Sequence, residues 1–185
     1  MTYFPMFVSL EGKPCLIVGG GRVAARKCRG LLAFGAEVTV VAKRFTAEFE
    51  LHNVLLPDQD MSDRATACDC PADGCVQKIT RAFHSEDVTE GKWALVVTAT
   101  DSRDVNHMVA ALCHARQIPV NVADCQAECT FFFPAYCMEG TVAAGITTSG
   151  QDPAMARALR RRLQTALPGW IGEIRENRKE TKADE

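Results

Sequence analysis

The chain has little that would tie it to a polyanion or a bilayer. Its 21 Lys+Arg are offset by 23 Asp+Glu, a formal net charge of −2, so no basic field recruits nucleic acid. No apolar run approaches the roughly 20 residues that span a membrane. The start, MTYFPMFVSLEGK, lacks the basic segment and long apolar stretch of a secretory signal. The expectation is a cytoplasmic protein with no nucleic-acid or membrane partner. Histidine is scarce: His52 and His84 flank a variable stretch, and His107 and His114 lie seven apart on one helix. None has an obvious ligand partner, and solvated side chains are expected for all four.

Cysteine is abundant, with nine residues. Cys15, Cys28, Cys113, Cys125, Cys129 and Cys137 are scattered through apolar or loop positions, where a free thiol acts as a small hydrophobe. Cys68, Cys70 and Cys75 cluster in ATACDCPADGC. A structural metal site usually takes four ligands, often from paired CxxC units. Three thiols in CxCx4C without a neighbouring histidine read as a variable loop, and no metal site is expected. At 185 residues, with 47% hydrophobic side chains, the chain suits one domain or one domain plus an appendage.

Strand and helix patterns alternate from the start. Pro14 to Val18 reads as a short buried strand and Arg22 to Phe34 as a helix. Gly35 stands where a glycine stops that helix, and Glu37 to Ala42 reads as a second strand. Strand, glycine turn, helix and strand within about 30 residues make a βαβ unit, hence a parallel sheet. Phe45 to Val54 is a candidate short helix, and Leu56 to Gly74 is polar and turn-rich. Val76 to Thr80 and Trp93 to Thr98 continue the sheet, the second as a buried apolar run. A helix follows with Val105, Met108, Val109 and Leu112 as its apolar face, then a short strand over Pro119 to Val122.

Beyond Asp124 the pattern changes. Thr130 to Ala135 and Thr141 to Thr148, separated by MEG, read as a hairpin. A helix opens with Asp152 as N-cap and Pro153 at its first position. Its apolar positions are Met155, Leu159, Leu163 and Ala166, and Pro168 is expected to interrupt it before a charged amphipathic tail. The fold class is α/β: a Rossmann-type parallel sheet followed by a β-hairpin and a C-terminal helical segment for dimerisation. The expected divisions are 1–124 for dinucleotide binding, 125–150 for the hairpin and 151–185 for the helical segment.

Gly19-Gly20-Gly21-Arg22-Val23-Ala24 fits G-x-G-x-x-A. The first glycine makes the tight turn, the second lets backbone amides approach a pyrophosphate, and the small last residue lets the helix pack near its strand. The phosphates would sit on the helix N-terminus near Arg22 and Val23. After the second strand, where an acid often holds the ribose hydroxyls, the sequence reads Ala42-Lys43-Arg44. Basic residues there suit a 2′-phosphate or are simply solvated, and spacing leaves NAD and NADP both open. Thr98 and Thr100 follow the fourth strand on the ligand edge of the sheet and are placed to touch the cofactor, while Asp101 is expected to cap the next helix.

The stretches YFPMFVSLEGKPCLIVGGGRVAARK, ATDSRDVN, PVNVADCQAECTFFFPA and ITTSGQDPAMARALRRRL, in that order, resemble the precorrin-2 dehydrogenase / sirohydrochlorin ferrochelatase family. This module also forms the N-terminal part of siroheme synthases. The resemblance runs from about Tyr3 to Leu163 and is interrupted around the cysteine-rich loop, which looks inserted. It implies NAD-dependent oxidation of precorrin-2 to sirohydrochlorin and, in some members, insertion of ferrous iron. It maps the cofactor loop onto Gly19, Gly20 and Gly21, and the family's key acidic residue onto Asp124. The Ser/Thr-Gly turn that meets substrate carboxylates falls on Thr147, Thr148, Ser149 and Gly150, with Thr148 where the family usually has serine. Arg157 on the following helix is a further candidate for those carboxylates. The resemblance also implies a homodimer, and it favours NAD. Without it, Asp124 reads first as a turn residue before Cys125-Gln126. The competing functional class is a module that senses NAD(H) without chemistry, which needs neither Asp124 nor the ITTSG turn.

Overall fold

A computed structural model of the chain describes residues 3–50 and 76–183. Two compact units emerge: Val8–Phe132, and the short N-terminal segment together with the chain from Phe133 onward.

The larger unit is a five-stranded parallel sheet with order β3-β2-β1-β4-β5. Its strands are β1 (Pro14–Val18), β2 (Glu37–Ala42), β3 (Val76–Thr80), β4 (Leu95–Thr98) and β5 (Val120–Val122). The crossovers carry α1 (Arg22–Leu32), α2 (Ala47–Glu50), α3 (Glu86–Thr89) and α4 (Arg103–Ala115). Leu16, Ile17, Val40, Val96, Val97 and Val120 are fully buried, as β-branched and leucine side chains must be when helices cover both faces of a parallel sheet. The order in which strands are added reverses between β1 and β4, which are parallel neighbours from Cys15↔Leu95 to Val18↔Thr98. That is the switch point at which open α/β sheets bind ligands.

Two expectations are corrected in this unit. α4 does not bury Met108, which is 50% exposed; its inward side chains are Asn106, Val109, Ala110 and Cys113, with Val105 and Leu112 packed at the margin. The helix is rotated so that the Asn106 amide, which periodicity alone assigns to water, reaches the turn after β4. Ser102, not Asp101, caps α4, its side chain accepting from the Val105 N–H. Of the helix expected over Phe45 to Val54, the described part is α2, Ala47–Glu50, and positions 51–54 lie outside the described residues.

The smaller unit contains an antiparallel hairpin, β6 (Ala135–Glu139) and β7 (Val142–Ile146), joined through Gly140-Thr141. β6 begins at Ala135 rather than Thr130. Thr130 is bonded to β5 instead: its N–H donates to the Val120 carbonyl at 2.9 Å and its hydroxyl accepts from the Val120 N–H at 2.7 Å. Pro134 has no N–H to offer a ladder. α5 runs unbroken from Pro153 to Ala183, so Pro168 does not end it. Pro168 is exposed, so the carbonyl that loses its helical partner can be hydrated while flanking turns hold the helix. Among the described residues no helix is long and apolar enough to cross a membrane.

Candidate functional site

The glycine loop leaves β1 at Gly19. A Cβ on Gly19 would lie 2.3 Å from the Ala99 carbonyl oxygen, and φ there is +126°. A Cβ on Gly20 would lie 2.1 Å from the Arg44 carbonyl oxygen and 2.8 Å from the Ala42 Cβ. Both glycines are therefore required by the protein's own backbone, and Ala42 must be small because it floors the loop. Gly21 is different: a Cβ there would meet nothing within 4 Å. The fold does not need glycine at this position, so the space above it is available to a ligand.

Helix caps point the same way. Three long helices begin in the described chain. α4 is capped by Ser102, and α5 by Asp152, whose Oδ1 accepts from the Met155 N–H at 2.8 Å. α1 has no side-chain cap at Gly21 and no acidic residue in its first turn. Its leading amides and positive dipole end are thus left open at the switch point, the arrangement that binds a phosphate. Arg22 reaches sideways to Glu48 of α2 at 3.6 Å, and Val23 is 42% exposed. A pyrophosphate fits this cradle, and the residues that would hold it are the backbone of Gly20 to Val23 over the floor of Ala42. Lys43 and Arg44 are exposed beside it.

Opposite the loop, the β4–α4 turn is braced from within. The Asn106 Oδ1 accepts from the Thr98 hydroxyl at 2.6 Å and from the Thr100 N–H at 3.1 Å. The Thr100 hydroxyl lies 2.7 Å from the same oxygen, and the Asn106 Nδ2 donates to the Thr100 carbonyl at 3.1 Å. Thr98 is fully buried, so its hydroxyl shapes the turn and does not reach a ligand. Thr100 is half-buried at the rim. Asn106 was missed in the sequence because helical periodicity placed it beside the expected apolar face of α4 rather than on it.

Asp124 lies two residues past β5. The preceding Ala123 N–H donates to the Thr98 carbonyl at 2.9 Å, which stitches this segment to the end of β4. The carboxylate is exposed, with its Oδ1 3.8 Å from the Arg103 Nη1. A 3-10 turn over Gln126–Glu128 follows. Here two histidines, exposed as expected, also make polar contacts. His107 Nδ1 lies 2.9 Å from the Glu128 Oε1, and His114 Nε2 lies 3.0 Å from the Glu128 carbonyl. Arg103 also bonds the Glu128 carboxylate. These two contacts hold the Glu128 carboxyl below its usual range, Arg103 contributing most and His107 next.

A second polar cross-link was also unforeseen. Lys27 of α1 donates to the Asn121 Oδ1 of β5 at 2.6 Å, and the Asn121 Nδ2 donates to the Phe131 carbonyl at 2.9 Å. Burial pulls the Lys27 amine down to about 8, with Arg26 adding repulsion. Cys15, Cys28, Cys113 and Cys137 are buried free thiols, as their apolar setting suggested. Cys68, Cys70 and Cys75 lie outside the described residues.

In the smaller unit, hydroxyls tie the 147–150 turn to the start of α5. The Thr148 hydroxyl donates to the Asp152 carbonyl at 2.8 Å and accepts from the Asp152 N–H at 3.2 Å. The Thr147 hydroxyl accepts from the Ser149 N–H at 3.1 Å. Ser149 and Gly150 both have positive φ, 56° and 77°. Arg157 is exposed on the second turn of α5.

Comparison with known proteins agrees with the open α1 terminus. A family described as putative NAD(P)-binding matches residues 6–135. The chain belongs to this NAD(P)-binding family. Among curated relatives of this family member, a siroheme synthase of Methylococcus capsulatus is 39% identical over 94% of the chain and 32% of its own length. One from Mannheimia succiniciproducens is 36% identical over 93% of the chain and 32% of its own length. The chain thus spans about a third of the length of these relatives. A solved structure of SirC, a precorrin-2 dehydrogenase, superposes with a TM-score of 0.61 at 24% identity, covering 88% of this chain and 70% of that one. It shares the fold of this NAD(P)-binding protein.

Proposed function

We propose that the chain is a precorrin-2 dehydrogenase, using NAD to oxidise precorrin-2 to sirohydrochlorin, with Asp124 as the proton acceptor. The observation that carries the reading is the uncapped start of α1 beneath the open space at Gly21, with a carboxylate on the same sheet edge two strands away. Similarity to siroheme synthases and the fold shared with a precorrin-2 dehydrogenase support the choice of substrate.

Oxidation removes a hydride and a proton from the macrocycle. When bound, the nicotinamide supplies the hydride acceptor. The chain's own share is to hold the pyrophosphate on the amides of Gly20 to Val23, to keep Thr100 at the rim through Asn106, and to take the proton on the Asp124 carboxylate. General-base assistance of this kind is worth roughly 100- to 10,000-fold. We assign the 147–150 turn and Arg157 to the substrate's acetate and propionate groups. We further propose a cytoplasmic homodimer in which residues 125–150 and 151–185 supply the association face. Exposed apolar side chains along α5 support it: Met155 (51%), Leu159 (44%), Trp170 (52%) and Ile174 (57%).

The test is an anaerobic assay with precorrin-2 and NAD, with and without ferrous iron. Growth of sirohydrochlorin absorbance, largely lost in Asp124→Ala while NAD still binds, is the expected result. NAD binding without any turnover would reject the enzyme in favour of a sensor. Conversion to siroheme on adding iron beyond the uncatalysed rate would establish insertion of the ferrous substrate as a second activity.

A further inference from the structure

Arg103 is the first residue of α4, immediately after the Ser102 cap. Its guanidinium meets two carboxylates that are four residues apart in the chain: Nη2 bonds the Glu128 Oε1, and Nη1 lies 3.8 Å from the Asp124 Oδ1. Glu128 is itself held twice more by the same helix. His107, one turn along, meets its carboxylate at 2.9 Å, and His114, two turns further, meets its backbone carbonyl at 3.0 Å. The side chain of Glu128 is 20% exposed, against 39% for Asp124. One carboxylate is thus fastened and sheltered, the other open to a substrate, and the same rigid cation touches both.

We propose that Arg103 is a positioning residue for the Asp124 carboxylate, anchored by Glu128 and His107, so that α4 aims the base at the sheet edge. The proposal rests on the dehydrogenase reading above. The planar guanidinium has several donors in a fixed fork; with one arm committed to Glu128, the other restricts where the Asp124 oxygens can lie. Asp124 follows a strand of three residues and has no other ion-pair partner among the described residues.

The experiment compares steady-state precorrin-2 oxidation by the full chain with that of Arg103→Gln, Arg103→Lys and Glu128→Gln, alongside NAD affinity and thermal unfolding of each. Loss of aim should lower kcat about tenfold in Arg103→Gln, with KM and NAD affinity within about twofold. Arg103→Lys should recover only part of the loss, because charge returns without the fork. Glu128→Gln should fall between the two, since it releases the anchor and keeps the cation. An unchanged kcat in Arg103→Gln overturns the proposal. So does a raised KM at intact kcat, which would make Arg103 a substrate clamp. So too does a fall in NAD affinity and thermal stability that Arg103→Lys fails to rescue, which would make its role structural. Failure of the dehydrogenase reading would look different: no turnover by the unaltered chain, or full activity in Asp124→Ala, and either removes the basis for the proposal as well.

Discussion

The two units solve the burial problem in opposite ways. The sheet unit builds a closed apolar core, with Ile17, Val40, Val96 and Val97 at zero exposure, and buries polar groups such as Thr98, Asn106 and Asn121 that bond within the unit. The hairpin-and-helix unit buries little of its own: Cys137, Ala156 and Leu167 are its fully covered apolar residues, while Trp170 and Ile174 stay more than half exposed. A unit with a closed core can specify a rigid cofactor cradle by itself. A single long helix on a two-stranded hairpin cannot enclose a core, and its apolar stripe is left for another surface.

The largest expected effect that would test this contrast is Val97→Asp, an unpaired charge in the centre of β4. Chemical denaturation should show a loss of at least about 4 kcal/mol, or no folded state at all. Survival of a cooperative transition near the original midpoint would mean the sheet core tolerates water.

Next in size is the pH response of Lys27. Its amine is pulled from 10.5 to about 8 by burial, so between those values the unfolded chain holds more protons than the folded one. Stability should therefore rise across that window by roughly 2–3 kcal/mol relative to Lys27→Met, the burial penalty being fully present below it. Denaturation midpoints of the two proteins from pH 7.5 to 10.5 would measure it. The buried thiols, raised by burial to about 11 or 12, push the other way in both proteins and cancel in the difference. Parallel pH curves would show that Lys27 is hydrated.

The smallest effect is expected in the other unit. Leu159→Ser with Trp170→Ser should leave the denaturation midpoint at low protein concentration within about 0.5 kcal/mol. Sedimentation should nevertheless show weaker self-association, as the proposed homodimer requires. A large loss of stability at every concentration would mean that these side chains serve the monomer's own core.

How far each region could be read in advance follows the same division. β1, the glycine loop, α1 and β2 were legible to within a residue or two, because every constraint on them is local: an apolar run, a turn that excludes a Cβ, a small-residue helix face and a stop at Gly35. Asp152 as the cap of α5 was legible for the same reason. The start of β6 was not, since Thr130 answers to β5, a strand ten residues away, rather than to its neighbours. Pro168 failed as a helix breaker because a 31-residue helix can forgo one hydrogen bond on its wet side.

By itself, then, the sequence determined a parallel α/β sheet with a glycine turn at the head of its first helix, since periodicity and Cβ sterics act between near neighbours. It also marked Asp124 and the 147–150 turn as candidates, through resemblance rather than through chemistry legible in the chain. Only the tertiary structure decided that Gly19 and Gly20 are required by the protein's own backbone while Gly21 faces open space. Only it decided that Thr98 faces inward onto Asn106, and that Arg103, His107 and His114 converge on Glu128. Those assignments depend on which groups meet, 8 residues apart for Thr98 and Asn106 and 25 for Arg103 and Glu128, and that is set by how helices dock on the sheet.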